Sequence, residues 1–159
     1  MTIRVGQGWD LHRLEAGRPL VLGGVTVPSD KGELGHSDGD VLLHAITDAV
    51  LGAAALGDIG RHFPPSDERW KGAASRLFLE TALRLARDSG WELGNVDATV
   101  VLERPRLAPC MDSIRSSIAS LCGLPLDAVS VKAKTSEGVN AAGQRQAVEA
   151  QAVVLIHRD

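Results

Sequence analysis

Apolar residues recur along this chain with two periods, and the periods divide it into strands and helices. Over residues 3–12, Ile3, Val5 and the glycines alternate with polar positions, the period-two pattern of a strand. Gly6 and Gly8 weaken that strand in isolation and point to a close approach by another piece of backbone. Residues 19–22 and 25–27 flank Gly23-Gly24 and read as a short hairpin. Residues 40–55 form the clearest helix. Leu42, Ala45, Ile46, Ala49, Val50 and Ala53 fall on one face, with Asp40, His44, Thr47 and Asp48 on the other. Ser37, followed three residues on by Asp40, reads as a capping box at its start. A second helix is expected over 73–88, with Phe78, Ala82, Leu85 and Ala86 inward and Arg76, Glu80 and Arg84 on a solvated face. Ser89-Gly90 ends it. A third helix is expected over 109–122, stopped by Gly123 and Pro125. Residues 96–102, 129–133 and 147–156 read as strands. The sum is an α+β domain with helices packed on one face of a mixed or antiparallel sheet.

Composition narrows the function. The 159 residues suit one domain spanning 1–159, and 44% of them are hydrophobic, enough for a core. Seventeen basic against 20 acidic residues give a net charge of −3, which argues against nucleic-acid binding through a broad basic surface. Aromatics are 3%, with no Tyr, so base-stacking platforms are not expected either. No apolar run approaches the ~20 residues of a membrane helix. Met1-Thr2-Ile3-Arg4 runs straight into patterned sequence, with no signal peptide. Cys110 and Cys122 form no C-x-x-C motif and read as free thiols. A cytoplasmic location is the expectation.

Few residues carry candidate chemistry. Asp10 and His12, at i and i+2 on a strand, point to one face. A carboxylate beside an imidazole suits a divalent metal, although D-x-H alone is a common pair. His44 strengthens it: it lies on the polar side of the long helix, and Asp48, one turn on, is placed to take its other N–H. The plain alternative is an ordinary His–Asp pair on a solvated face. His36-Ser37-Asp38-Gly39-Asp40 leads into that helix, whose N-terminal N–H groups and dipole suit a phosphate. A capped helix start accounts for Ser37 and Asp40 but leaves His36 without a role. Gly57 is expected at the helix end. Asp58 either meets a sugar hydroxyl or stabilises the turn. Residues 63–67 read as a loop. Lys132 to Glu137, K-A-K-T-S-E, leaves a strand with two lysines, two hydroxyls and a carboxylate, a weak motif for an anion and a second cation.

Together these segments resemble one family. G-W-D-L-H, then H-S-D-G-D-x-x-x-H-A-x-x-D-A-x-x-G-A-x-x-L-G-D-I-G-x-x-F-P, then L-G-N-V-D and V-K-A-K-T-S-E are similar to 2-C-methyl-D-erythritol 2,4-cyclodiphosphate synthases, over nearly the whole chain. The resemblance implies that the substrate is 4-diphosphocytidyl-2-C-methyl-D-erythritol 2-phosphate. Its 2-phosphate attacks the β-phosphorus of its own CDP group, the cyclic diphosphate forms and CMP leaves, a step of the non-mevalonate route to isoprenoid precursors. It implies zinc on Asp10, His12 and His44. Three protein ligands leave one tetrahedral position open, as in catalytic zinc sites. It implies phosphate contacts at His36 and Ser37, ribose contacts at Asp58, Ile59 and Gly60, and a second divalent ion, magnesium or manganese, on Glu137. Thr135 matches the hydroxyl that stabilises the transition state. The loop 102–108 with Lys134, Thr135 and Ser136 matches the cytosine pocket. The family is a homotrimer with active sites between subunits. Here Glu149 and Gln151 alternate with Val148, Ala150 and Ala152, and either line a three-fold axis or face water.

The chain departs from the family after Glu137. The usual phenylalanine is Ala141, the usual arginine is Gln144, and the first threonine of T-T-T-E is Lys134. In some members that arginine meets an isoprenoid diphosphate on the axis, and neutral Gln144 lacks its charged fork. If the stretch is extended, Arg145 points to the opposite face and does not replace it. Geranyl or farnesyl diphosphate is therefore expected to bind weakly or not at all. Two other readings use the same residues: a zinc phosphodiesterase that hydrolyses CDP-alcohols, and a non-catalytic trimeric nucleotide-binding protein.

Overall fold

The computed structural model describes residues 1–35 and 37–159. Five strands form one mixed sheet in the order β4-β1-β7-β5-β6: β1 (Thr2–Ala16), β4 (Lys31–Leu34), β5 (Glu92–Val101), β6 (Val129–Lys134) and β7 (Ala147–Arg158). Only β5 and β6 run parallel; the other neighbours are antiparallel. The hairpin of β2 (Leu20–Leu22) and β3 (Val25–Val27) stands apart as expected. Strand β4 was not expected, since K-G-E-L shows no clear alternation.

Helix α1 (Val41–Ala53) lies on β1 and β7, with α3 (Arg76–Asp88) against its other side. The sequence predicts one apolar face for α1, yet 11 of its 13 residues are buried, including Leu43, Leu51, His44 and Thr47. A helix covered by a sheet on one side and by another helix on the other has no solvated face. Of the polar side chains expected to face water, Asp40, His44 and Thr47 are therefore inside, and Asp48 is half-buried. The glycines make this covering possible. A Cβ on Gly6 would stand 1.9 Å from the Ala49 carbonyl oxygen, and one on Gly8 1.9 Å from that of Ala45. The helix backbone rests directly on the β1 backbone, as the strand pattern suggests.

The start of α1 differs from the expected capping box. Asp40 itself is the cap. Its Oδ1 accepts from Leu43 N at 3.0 Å and from Gly23 N at 3.0 Å, and its Oδ2 from Gly24 N at 2.6 Å. One carboxylate thus starts the helix and pins the β2–β3 turn to it. Asp40 is fully buried, and that burial pushes its carboxyl up to about 6.

Helix α4 (Met111–Cys122) ends on Gly123 in the left-handed region, φ 66°, as predicted. Two short helices, α2 (Ile59–His62) and α5 (Asn140–Gly143), fall in segments too brief to show a period. Both cysteines are free; Cys122 is buried, which pushes its thiol up to about 12. No helix among the described residues is long and apolar enough to cross a membrane. The sheet face away from α1 is uncovered: Ile3, Val5, Trp9 and Leu11 of β1 and Val153 of β7 are all exposed there.

Candidate active site

Strand parity builds the site. Gly6 and Gly8 face α1, so Asp10 and His12, two and four residues on, face the same way. Helix α1 then carries His44 down onto them. The Asp10, His12 and His44 ligand atoms lie within 4.8 Å of one another. Asp10 Oδ2 is 3.0 Å from His12 Nε2 and 3.0 Å from His44 Nδ1. Burial disfavours charge on Asp10, but hydrogen bonds from both histidines outweigh it and hold the carboxyl below its ordinary range. Burial pulls His12 down, and the Asp10 and Glu33 carboxylates outweigh it to push the imidazole up to about 10. A metal ion and a proton compete for the same nitrogen lone pairs, so binding an ion here releases protons.

The ring nitrogens turned away from this cluster are both engaged. His12 Nδ1 lies 2.6 Å from Gly39 O and 3.2 Å from Glu33 Oε2. His44 Nε2 lies 2.8 Å from Ser75 Oγ and 3.2 Å from Ser37 Oγ. Two imidazoles held from behind and one carboxylate form a donor set that fits a tetrahedral divalent ion with one open position.

Asp48 is not among these partners. Its carboxylate accepts from Ile59 N at 2.7 Å, which anchors the turn after α1, and its burial raises its pKa. The i, i+4 spacing brings Asp48 near His44 along the helix, but the imidazole points away toward α3. Asp48→Ala should therefore leave metal affinity within about twofold and cost about 1 kcal/mol of stability through the lost hydrogen bond. Chelator-competition titration and urea unfolding measure the two effects.

The Asp10–His12–His44 cluster opens into a cleft of about 250 Å³, lined also by Ser37, Ile59, Gly60, Phe63, Trp70 and Phe78. Ser37, Ile59 and Gly60 thus come together with the candidate metal ligands. Asp58 caps α2 with one carboxylate oxygen, Oδ1 accepting from Arg61 N at 2.9 Å. The expected contact at His36 lies outside the described residues. Sequence reasoning missed the aromatic wall. Phe63 and Phe78 stack with ring centres 4.6 Å apart, and Trp70 meets Phe63 edge-on at 5.1 Å. It also missed Glu33, which is buried, pushed up to about 8 by that burial, and bonded to Val41 N at 2.9 Å.

A second cleft, of about 320 Å³, is lined by residues 102–108 together with Ala133, Lys134 and Thr135. The family resemblance implies a cytosine pocket in these same segments. Ser136 N donates to Glu103 Oε2 at 3.2 Å, tying the two segments together. Glu137, at φ 52°, accepts from Thr135 Oγ1 at 2.9 Å and is not part of the first cluster. Across the sheet Asp10 pairs with Ala150, Ala150 with Val100, and Val100 with Ala133. Three strand spacings, about 14 Å, therefore separate the two sites within one chain.

The departed loop is not extended. Gln144 follows α5 directly and donates to Gly138 O at 2.6 Å. Arg145 is engaged elsewhere: its Nη2 donates to both carboxylate oxygens of Asp30, at 2.6 and 2.8 Å.

Comparison with known proteins agrees with this geometry. A 2-C-methyl-D-erythritol 2,4-cyclodiphosphate synthase of Laribacter hongkongensis is 57% identical over 156 residues, covering 98% of this chain and 96% of that protein. One from Burkholderia thailandensis is 56% identical over 160 residues, covering 100% and 98%. A solved structure of such a synthase in its CDP-bound form superposes with a TM-score of 0.91 at 46% identity, over 97% of this chain and 100% of that one. The IspF–CDP complex of Plasmodium falciparum gives a TM-score of 0.87 at 33% identity, over 99% and 97%. The YgbB family model matches residues 3–157, and with relatives this similar over nearly their whole length, the chain belongs to the YgbB family.

Proposed function

We propose that the chain converts 4-diphosphocytidyl-2-C-methyl-D-erythritol 2-phosphate to 2-C-methyl-D-erythritol 2,4-cyclodiphosphate and CMP, as a phosphorus–oxygen lyase of the non-mevalonate pathway. The observation that carries this reading is the convergence of Asp10, His12 and His44 in one cleft with Ser37, Ile59 and Gly60, in a chain 57% identical to a synthase of that name.

The substrate supplies both nucleophile and leaving group. A 2-phosphate oxygen forms a bond to the β-phosphorus, and the bond from that phosphorus to the oxygen bridging it to CMP breaks. The CMP phosphate leaves with the electron pair. The protein's task is then positioning and charge stabilisation. Asp10, His12 and His44 would hold zinc, and Glu137 a second cation, magnesium or manganese. Such ions supply Lewis-acid stabilisation of phosphate oxygens. Ser37, which lines the first cleft, contacts phosphate together with His36, as the family pattern implies. Asp58, Ile59 and Gly60 receive the ribose. Lys134, Thr135 and Ser136 face the nucleotide in the second cleft, with the Thr135 hydroxyl aiding the transition state.

We place the complete site between subunits of a homotrimer. The two clefts share no lining residue and are about 14 Å of sheet apart within one chain. The exposed Ile3, Val5, Trp9, Leu11 and Val153 give the sheet an apolar face suited to meeting other copies. The Arg145–Asp30 pair supports the expectation that geranyl or farnesyl diphosphate binds weakly or not at all in this assembly.

Running the reaction in heavy-oxygen water tests the chemistry. Cyclisation puts no solvent oxygen into either product, and that is the expected result. Heavy oxygen in CMP or in a released sugar phosphate would establish hydrolysis instead.

A further inference from the structure

Behind His44 the hydrogen bonds run in one direction. The imidazole turns Nδ1 toward Asp10 Oδ2, at 3.0 Å, and Nε2 toward Ser75 Oγ, at 2.8 Å. The Ser75 hydroxyl donates to Asp38 Oδ1, and the Ser75 backbone N–H donates to Asp38 Oδ2 at 3.0 Å. An ionised carboxylate only accepts, so the hydroxyl proton is committed to Asp38. The hydroxyl oxygen then has only lone pairs to offer His44. Nε2 must therefore carry a proton, and a proton on Nδ1, which faces Asp10 Oδ2 at 3.0 Å, is the one that a metal ion displaces to take the lone pair on the side of Asp10 and His12.

Ser75 is the nearer of the two hydroxyls at Nε2, the Ser37 Oγ lying at 3.2 Å from that nitrogen and 3.3 Å from Ser75 Oγ. It stands at the start of α3, the position where a serine usually caps a helix, yet its side chain makes no capping bond. It is fully buried, and its hydroxyl turns to the imidazole and to Asp38 instead. Asp38 is fixed in turn by its own backbone, since Asp38 N donates to Ala73 O at 3.0 Å. The segment before α1 and the segment before α3 are thus tied together behind the metal ligand.

We propose that Ser75, held by Asp38, is the positioning residue that sets the His44 tautomer and presents Nδ1 to the metal. The proposal rests on the reading of Asp10, His12 and His44 as metal ligands. It assigns to Ser75 the work that spacing along the helix assigned to Asp48.

Two measurements on the zinc-loaded protein test it. Long-range proton–nitrogen correlation of the histidine rings should show His44 protonated on Nε2 and metallated on Nδ1; the reverse pattern overturns the proposal with no variant needed. Chelator competition should show Ser75→Ala binding zinc about 10–100-fold more weakly than the parent, the size expected for loss of an outer partner of a ligating histidine. Ser75→Thr, which retains the hydroxyl, should recover most of that loss. Unchanged affinity in a folded Ser75→Ala overturns the positioning role and leaves the metal centre standing. Failure of the parent to bind zinc overturns the metal centre, and this proposal with it.

Discussion

Alanine at Gly8 will destabilise the protein by about 3 kcal/mol or more and strip it of metal. The added Cβ would stand 1.9 Å from the Ala45 carbonyl oxygen and 2.8 Å from Ala49 N. Both are backbone atoms inside α1, so no rotamer change relieves the clash. The helix must lift from β1, and a misfit this deep exceeds the usual cost of overpacking. His44 rides on the same turn as Ala45, so lifting the helix separates it from Asp10 and His12. A matched control lies on the helix itself. Gly52 has only Gln7 O within 4 Å of a built Cβ, at 3.9 Å. Gly52→Ala should stabilise by about 0.5–1 kcal/mol through helix propensity. Urea unfolding and metal analysis of both variants measure the contrast. A Gly8→Ala protein with parental stability and bound metal would show that the close packing of α1 on β1 is not what assembles the site.

His44→Ala should lose its metal and at least about a thousandfold in turnover. Asp10 and His12 alone give two ligands from one strand, and two hold zinc poorly in water. Charge stabilisation by a bound ion is worth several kcal/mol, and each 1.36 kcal/mol is tenfold in rate. The fold should survive, because His44 contributes one ring at the edge of the aromatic wall, with its centre 5.8 Å from that of Phe78. Metal analysis, near-UV circular dichroism and CMP release separate the three effects. Retention of one equivalent of zinc per chain would show that the ligand set is wrong.

What the sequence made legible follows from how far its signals reach. Period two on β1 placed Asp10 and His12 on one face, and the glycines two and four residues before Asp10 pointed to a close backbone approach, which the structure assigns to α1. Those are local facts. The partners behind the histidines are not local. Ser75 comes from α3, 31 residues after His44, and Glu33 from a strand 21 residues after His12. Nothing in the spacing near either histidine points to them. Asp48 lies one turn on from His44 along the helix, which is what singles it out in the sequence, while its carboxylate serves Ile59 N. Asp40 shows the same limit: its role at a helix start is readable, its grip on Gly23 and Gly24 is not. The composition of α1 carries one further signal. V-L-L-H-A-I-T-D-A-V-L-G-A is apolar on nearly every side, which implies a helix enclosed by protein rather than one with a wet face.

Strand β7 sits between β1 and β5, so the sheet's central strand is the last element of the fold to leave the ribosome. β1 pairs with it from Thr2↔Arg158 to Arg13↔Ala147. During synthesis β1 therefore waits through more than a hundred residues with that edge unpaired, and Asp10 and His12 lack the strand that fixes their direction. Chains arrested before residue 147 should expose that edge to chaperones and to one another.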